Sequence, residues 1–271
     1  MCIILLAHKA HRDYPLILAA NRDEAYARPA AQAAFWDDHP NVYGGRDLDK
    51  GGSWLGFTRS GKVAAVTNFR NGKPGPAAPR SRGELVSGFL SGSEGAETYL
   101  ERVKSQGGQY GGFILIAGDL EALYWLSNNG PGVEKIAPGV HGLSNHLLNT
   151  PWPKIRRSRE AMEALLGAGE AELTAGLFEL LADRNEASDH ELPDTGVGLQ
   201  RERELSAVFI RGERYGTRAS TVILVDHNGG VWFIERSFGI GGKPLGEVSR
   251  QFRLDTLRVP DKIKILSQRE H

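Results

Sequence analysis

The chain opens on two short apolar runs, "CIILLA" and "PLILAAN", separated by the polar and turn-prone "HKAHRDY". Apolar and polar positions alternate weakly in both runs, which is typical of buried strands that are covered on both faces. Further along, "SWLGF" and "KVAAVTNF" flank "TRSG", whose glycine suits a tight turn. The pattern therefore predicts two pairs of antiparallel strands in the first quarter of the chain.

The segment that follows has its apolar residues at helical spacing. Ser81 and Glu84 stand at the spacing of a capping box before "LVSGFL", and Tyr99, Leu100 and Val103 share one helical face. These features predict two short helices. The stretch "KPGPAAPR", just before them, carries three prolines and is predicted to be an exposed loop.

The second half repeats the alternation of strands and helices. "FILIAG" and "ALYWLS" around "DLE", the shorter "VHGLSN", and "RASTVILVD" and "VWFIERSF" around "HNGG" are predicted strands, while "GGKPLG" is a predicted turn. Thr150 and Pro151 are predicted to begin a helix that continues through "KIRRSREAMEALLG", and "EAELTAGLFELLAD" is predicted to form another. The inward face of the first of these should hold Ile155, Met162, Leu165 and Leu166.

Hairpins, rather than regular βαβ crossovers, connect the predicted strands. This order predicts an α+β fold, a four-layer α/β/β/α sandwich of mostly antiparallel sheets with helices outside. No GxGxxG stands between a strand and a helix, which argues against a dinucleotide-binding fold. No linker divides the chain, so we expect a single domain over residues 1–271.

Composition and charge narrow the function. The chain has 271 residues with 33 basic and 33 acidic side chains, so it lacks the excess positive charge of a nucleic-acid-binding protein. The opening apolar run stops at His8 and Lys9, which is too short for a signal-peptide core, and no later run is long enough to span a bilayer. We expect a soluble, cytoplasmic protein without a membrane span and without a nucleic-acid partner.

Cys2 is the chain's single cysteine, which excludes an internal disulfide and any multi-cysteine zinc site. His8 and His11 are three residues apart, but no HExxH signature accompanies them, so we predict no metal site and interpret the histidines as surface residues. We likewise interpret the basic cluster from Lys154 to Arg159 as a solvated helix face without a site role.

Five motifs point to a family. They are "NRDE" at residues 21–24, "GGRDLDKGGSWLGF" from residue 44, "TNFR" from residue 67, "GLSN" before "TPWPK", and "YGTR" before a strand. In this order they resemble the NRDE family, also called the transport and Golgi organization protein 2 family. The resemblance runs from Met1 to about Phe238.

The resemblance implies a relative of the N-terminal-nucleophile hydrolases, nearest to the penicillin V acylase and choloylglycine hydrolase group. Members of that group lose Met1 and attack an amide carbonyl with the exposed cysteine, and they require no cofactor. By motif, the implied catalytic residues are Cys2, Arg22, Asp23, Asn68, Asn145 and Arg218. A free α-amine has a pKa of about 7.7 to 8.0, so it suits the task of a base for the thiol.

Some assignments stay open at this point. Adjacent strand residues face opposite sides, so Asn21 or Glu24 could replace Arg22 or Asp23 beside Cys2. Asn145 and Arg218 suit a scaffold role as well as a site role. The glycine-rich stretch from Gly44 to Gly52 either bends sharply or covers the cleft as a lid.

Two functions fit these residues. The first is a cysteine N-terminal-nucleophile hydrolase acting on a non-peptide C–N bond or a related acyl bond. The second is a non-catalytic protein that binds haem, acyl-CoA or another lipid in the same cleft, with haem as a possible ligand. Cys2 on its own, without the motifs, is more typical of core packing, and only the motifs favour a site role. Both functions need a small-molecule partner, and the oligomeric state is left open.

Overall fold

Two antiparallel sheets form the centre of the protein, whose computed structural model describes residues 2–72 and 78–255. Described in chain order, the strands are β1 (Cys2–His8), β2 (Leu16–Ala25), β3 (Ala30–Phe35), β4 (Val42–Asp47), β5 (Leu55–Thr58), β6 (Val63–Asn68), β7 (Phe113–Gly118), β8 (Leu123–Ser127), β9 (Glu134–Ile136), β10 (Gly139–Leu143), β11 (Tyr215–Val225), β12 (Gly230–Phe238) and β13 (Pro244–Arg253). The helices are α1 (Gly83–Ser91), α2 (Ala96–Ser105), α3 (Pro153–Ala164), α4 (Glu170–Leu181) and α5 (Leu199–Ser206).

The first sheet has the order β10-β1-β2-β11-β12-β13, and the second runs from β3 to β9 in chain order. Along β1, Ile4 and Leu6 pack against the second sheet, while Ile3 and Leu5 pack against α3 and α4. Helices α1 and α2 cover the outer face of the second sheet. The result is the predicted α/β/β/α sandwich, and burial on both faces of β1 explains why its apolar run does not alternate.

The predicted hairpins are confirmed. Strand β1 pairs with β2, β5 with β6, β7 with β8, and β11 with β12, all antiparallel. Helix α2 buries Tyr99, Leu100 and Val103 as predicted. Near α1, the carboxylate of Glu84 accepts the backbone N–H of Ser81 at 2.9 Å, which is the returning half of the capping box.

The start of α3 was predicted two residues too early. Trp152 is the N-cap residue and Pro153 stands in the first turn, instead of Thr150 and Pro151. The residue before a proline is pushed towards extended backbone, and Trp152 has φ −62° and ψ 146°. The second proline of "TPWP" therefore begins the helix.

Five of these strands and helices were not predicted: β3, β4, β9, α5 and β13. Strand β4 includes Gly44 and Gly45, which begin the stretch predicted to bend sharply or to form a lid. A Cβ at Gly44 would lie 2.6 Å from the carbonyl oxygen of Leu55, so glycine here permits close strand pairing instead of a bend. The "GGKPLG" stretch holds a short turn, but β13 already begins at Pro244. Most of "KPGPAAPR" lies outside the described residues.

The histidine interpretation was wrong at two positions. His8 and His11 are 2% and 7% exposed, so they are buried instead of lying on the surface. The Nδ1 atom of His11 accepts the backbone N–H groups of Asp13 and Tyr14, which ties the turn between β1 and β2 together. Separately, none of the described helices has the length and apolar character needed to cross a membrane.

Candidate active site

Cys2 is the first residue of β1, an inner strand held by β10 on one side and β2 on the other. Its pairing partner in the neighbouring strand β2 is Arg22. The thiol is half-buried and opens on a cavity of about 610 Å³. The end of β2, the β4–β5 connection, the end of β6 and the start of α1 form the walls of this cavity.

Both Arg22 and Asp23 line the cavity, although they are adjacent in β2. The pairing of β2 with β11 shifts here: Asp23 faces Thr217, Arg22 faces Ala219, and Arg218 is the extra residue between them. This β-bulge lies near the end of β2 and the start of β11. The cavity is therefore lined by neighbouring β2 residues that point to opposite faces of the strand. The alternative through Asn21 is not supported, because its amide nitrogen donates to the carbonyls of Leu181 and Val208.

The Arg22 guanidinium is 6% exposed and lies over the Trp54 ring, 4.1 Å from the ring centroid. No other residue in the described part of the chain forms a hydrogen bond or an ion pair with it. Burial lowers the pKa of Arg22, while Cys2 and Glu24 act to raise it. A buried cation is therefore held beside the thiol, which favours the thiolate.

The Asp23 carboxylate is 2% exposed and accepts a hydrogen bond of 2.7 Å from Thr217 Oγ1. Burial raises the pKa of Asp23 to about 6, against the opposing effects of Lys154 and of the Thr217 hydrogen bond. The Tyr215 hydroxyl donates to the backbone carbonyl of Asp23 at 2.8 Å. Strand β11 thus fixes both the side chain and the backbone of Asp23.

Lys154 was wrongly interpreted as part of a solvated helix face. It is 2% exposed, and its ammonium donates to the carbonyl of Leu205 at 2.9 Å. Burial lowers the pKa of Lys154 to about 8, while Asp23 acts to raise it. Lys154, Ser158 and Met162 are all buried at four-residue spacing, and this helical period was the signal that could have found it.

A chain of hydrogen bonds joins Cys2 to the end of β6. Ser144 Oγ lies 3.0 Å from the carbonyl oxygen of Cys2 and 3.2 Å from Asn145 Oδ1. The Asn145 amide donates to the carbonyl of Asn68 at 3.0 Å. Asn145 is fully buried and does not line the cavity, whereas Asn68 does. Ser144 belongs to the "GLSN" motif, but the resemblance implied a role only for Asn145 of that motif, so the serine was missed.

Arg218 lies apart from the Cys2 cavity. One of its nitrogens, Nη1, donates to the carbonyls of Ala25, Tyr26 and Arg28, and its guanidinium lies over the Tyr26 ring. It lines a separate cavity of about 180 Å³, which the Arg22–Trp54 pair also borders. These contacts support the turn after β2. A catalytic role for Arg218 stays a prediction, as it does for the other motif residues.

Burial raises the pKa of the Cys2 thiol above its usual value, and Asp23 acts in the same direction while Arg22 opposes it. The thiol therefore stays protonated at neutral pH unless a base takes its proton. Below Cys2 the sheets close around a slot of about 10 Å³, lined mainly by small and apolar side chains. In the described residues, no cluster of three or more His, Cys, Asp or Glu side chains forms a candidate metal site.

The fold and site together define a class of protein: an α/β/β/α sandwich with a lone cysteine at the end of an inner strand, facing a charged cavity. The family model described as Transport and Golgi organisation 2 matches residues 1–239. The chain belongs to this family, as the sequence motifs indicated.

Relatives support the same assignment. The Transport and Golgi organization protein 2 homolog of Bos taurus is 39% identical over 94% of this chain and 100% of its own length. The homolog of Mus musculus is 38% identical over 88% of this chain and 93% of its own length. The Drosophila melanogaster protein is 33% identical over 91% of this chain and 95% of its own length.

Two solved structures show lower similarity. A conjugated bile acid hydrolase from Clostridium perfringens aligns with a TM-score of 0.42 and 10% identity over 94% of this chain and 92% of that chain. An N-acylethanolamine-hydrolyzing acid amidase ortholog from Caenorhabditis elegans aligns with a TM-score of 0.45 and 12% identity over 82% of this chain and 92% of that chain.

Proposed function

We propose that the protein is a cysteine N-terminal-nucleophile hydrolase that cleaves an amide or a related acyl bond after Met1 is removed. The observation that carries this proposal is the position of Cys2. It begins an inner strand, and its thiol opens on a cavity that Arg22, Asp23 and Asn68 also line. A packing cysteine has no need of a charged cavity, whereas a nucleophile needs one for its substrate.

The raised thiol pKa makes a base necessary, and removal of Met1 would supply one in the α-amine of Cys2. The amine takes the thiol proton, and the thiolate adds to the carbonyl carbon. Arg22 favours the thiolate, and Asp23 holds the resulting ammonium in place. The Asn68 amide, which has no hydrogen-bond partner among the described side chains, suits the task of donor to the oxyanion.

The intermediate then collapses. The C–N bond breaks, and the leaving amine takes the proton from the α-ammonium, so a thioester on Cys2 remains. Water adds to the thioester, gives its proton to the α-amine, and releases the acid and the free thiol. The original thiol proton leaves with the amine product, a proton of the attacking water replaces it on Cys2, and no cofactor takes part.

Mass spectrometry of the intact protein tests this proposal. Protein that has lost Met1 is expected to gain the mass of an acyl group when it is incubated with candidate amides or acyl-CoA esters. Cys2→Ala and Cys2→Ser should fold without forming that thioester. A form that retains Met1 should also fail, because its thiol lacks the base.

The contrary outcome points to the carrier function. If no thioester forms over a broad range of candidates, while haem or a lipid binds equally to the wild type and to Cys2→Ala, the hydrolase proposal is wrong. Binding without chemistry would then be the function of this cavity.

A further inference from the structure

Four arginines line the cavity beside Cys2, and two of them have carboxylate partners. Arg28 donates to Asp47 at 3.0 Å through Nε, and Arg80 donates to Glu84 at 2.9 Å. Neither Arg22 nor Arg82 forms a salt bridge with a carboxylate among the described residues, 2–72 and 78–255. In this part of the chain, these two guanidinium groups of the cavity therefore have no carboxylate within salt-bridge distance, and Glu24 of the same cavity acts on them only from further away.

Leaving Arg82 without a carboxylate at salt-bridge distance in the described residues is costly for the free protein. Burial lowers the pKa of Arg82, so its guanidinium has lost part of its hydration, and only Cys2, Glu24 and Tyr215 act at a distance to raise the pKa. A desolvated cation without a carboxylate costs free energy that a bound anion recovers. Such a group is expected where a ligand supplies the missing charge.

The two unpaired arginines have different surroundings. Arg22 is 6% exposed and is stacked on Trp54. It lies opposite Cys2 where β1 pairs with β2. Arg82 immediately precedes α1, and its Nη1 donates to the carbonyl of Gly112 at 3.2 Å. This single bond fixes the direction of the planar group and leaves its other N–H donors for a ligand. A guanidinium held in this way fits a carboxylate or a phosphate through two parallel hydrogen bonds.

We propose that Arg82 anchors a carboxylate or phosphate group of the substrate while the scissile carbonyl lies at Cys2. Lys50, which lines the same cavity without an ion pair in the described residues, adds positive charge nearby. The substrate class is then an amide or acyl ester that carries an anionic group, not a neutral lipid amide. The inference rests on the proposed function for the carbonyl, but the anion site itself can be tested without turnover.

Alkylation of Cys2 provides that test, because this is the only thiol in the chain. Iodoacetate and iodoacetamide both react with the thiolate, so a change in thiol pKa alters both rate constants equally and leaves their ratio unchanged. Only iodoacetate is negatively charged, so this ratio reports how strongly the cavity attracts an anion. Arg82→Met is expected to lower the iodoacetate-to-iodoacetamide ratio roughly tenfold, as loss of a charge-assisted hydrogen bond requires. Arg82→Lys should give an intermediate ratio.

The matched control is Arg102→Met, which removes an exposed arginine of α2 that pairs with Glu94 outside the cavity. Its ratio should equal that of the wild type. An unchanged ratio in folded Arg82→Met would overturn the proposal. If Arg82→Met does not fold, the ratio for Arg82→Lys and the protection experiment on the wild type decide.

Protection distinguishes the two anions. Inorganic phosphate and glutarate are each added to wild-type protein during alkylation by iodoacetamide, with neutral glutaramide as the control. Slower alkylation with phosphate alone indicates a phosphate-bearing substrate, and slower alkylation with glutarate alone indicates a carboxylate-bearing one. If neither anion slows the reaction more than glutaramide does, Arg82 is not an anion anchor. None of these outcomes depends on whether Cys2 forms a thioester.

Discussion

Two buried charges of opposite sign lie behind the thiol, at Asp23 and Lys154. The pKa of Asp23 is raised to about 6 and that of Lys154 is lowered to about 8, so both groups are charged between these two pH values. If Asp23 holds the α-ammonium of Cys2 as proposed, it has the negative charge for this task in that pH interval, and Lys154 has its positive charge there as well. The motif suggested the aspartate, whereas only the buried helical period of α3 pointed to the lysine.

The raised pKa of Asp23 makes stability depend on pH in a defined direction. An unfolded aspartate has a pKa of about 3.9, so between about pH 4 and pH 6 the folded protein keeps a proton that the unfolded chain has lost. The stability from this group is complete below about pH 4 and is lost as the pH rises through 6. We expect Asp23→Asn to remove a fall of about 3 kcal/mol over this interval.

Urea unfolding at pH 4, 5, 6 and 7 measures this slope. Asp37→Asn, which replaces an exposed carboxylate, is the matched control and should keep the wild-type slope. Equal slopes for Asp23→Asn and the wild type would show that Asp23 ionises as easily in the folded protein as in the unfolded chain.

At the scale of elements, a segment was predictable where its structure depends on residues close to it in the chain. A segment whose structure depends on a distant pairing partner was not. The hairpin of β11 and β12 depends on an Asn-Gly turn, and helix α2 on its own periodicity, so both were predictable. Strand β4 was not, because Gly44 is strand-like only where Leu55 of β5 lies against it. The pairing partner decides such a segment, and a single sequence does not name the partner.

The same reasoning applies to the site. The motifs identified Cys2, Arg22, Asp23 and Asn68 as a set, and the structure brings these four to one cavity. Lys154 and Arg82 carry no motif. Their importance comes from burial and from the carboxylates that do or do not face them, which are properties of the packed elements.

Asn145 connects β10 to the end of β6 and has φ 59°, a left-handed conformation that glycine adopts without strain. Asn145→Ala should lose about 2–3 kcal/mol, because it removes the hydrogen bond to the Asn68 carbonyl and because alanine tolerates the left-handed region less well than asparagine. Asn145→Gly keeps the backbone and should lose only about 1 kcal/mol. Chemical denaturation of both variants measures the difference.

Equal losses for the two variants would mean that the backbone conformation at Asn145 does not matter. A loss near zero for both would mean that the link between the two sheets is not needed for stability. The first outcome would contradict only the contribution of the backbone, whereas the second would show that the scaffold role of Asn145 is wrong.

At the scale of the whole molecule, the two sheets close tightly just below the thiol. The slot beside Cys2 has a volume of only about 10 Å³, about enough for one water molecule. The large cavity on the other side of the thiol has about 610 Å³. A substrate therefore has room to approach Cys2 from the large cavity and not from between the sheets.

Overfilling the slot tests how closely the sandwich is packed. Ala65 lines the slot and is 1% exposed, so Ala65→Leu should cost about 1–3 kcal/mol of stability. Ala182→Leu, at the exposed end of α4, is the control and should be nearly neutral. Thermal and urea unfolding compare the two variants. A neutral Ala65→Leu would show that the sheets move apart easily and that a larger acyl group has space between them.

The position of Cys2 at the start of β1 has a practical consequence for anyone who produces this protein. Cys2 pairs with Arg22 of β2, β10 pairs with β1 from Ile4 onwards, and Cys2 itself lines the 610 Å³ cavity. Any affinity tag fused ahead of Cys2 must leave the sheet at the mouth of the cavity, and it removes the free amine as well. If the protein is the proposed hydrolase, a purification tag at the amino end would therefore block the reaction, and activity assays need protein in which Cys2 has a free amine.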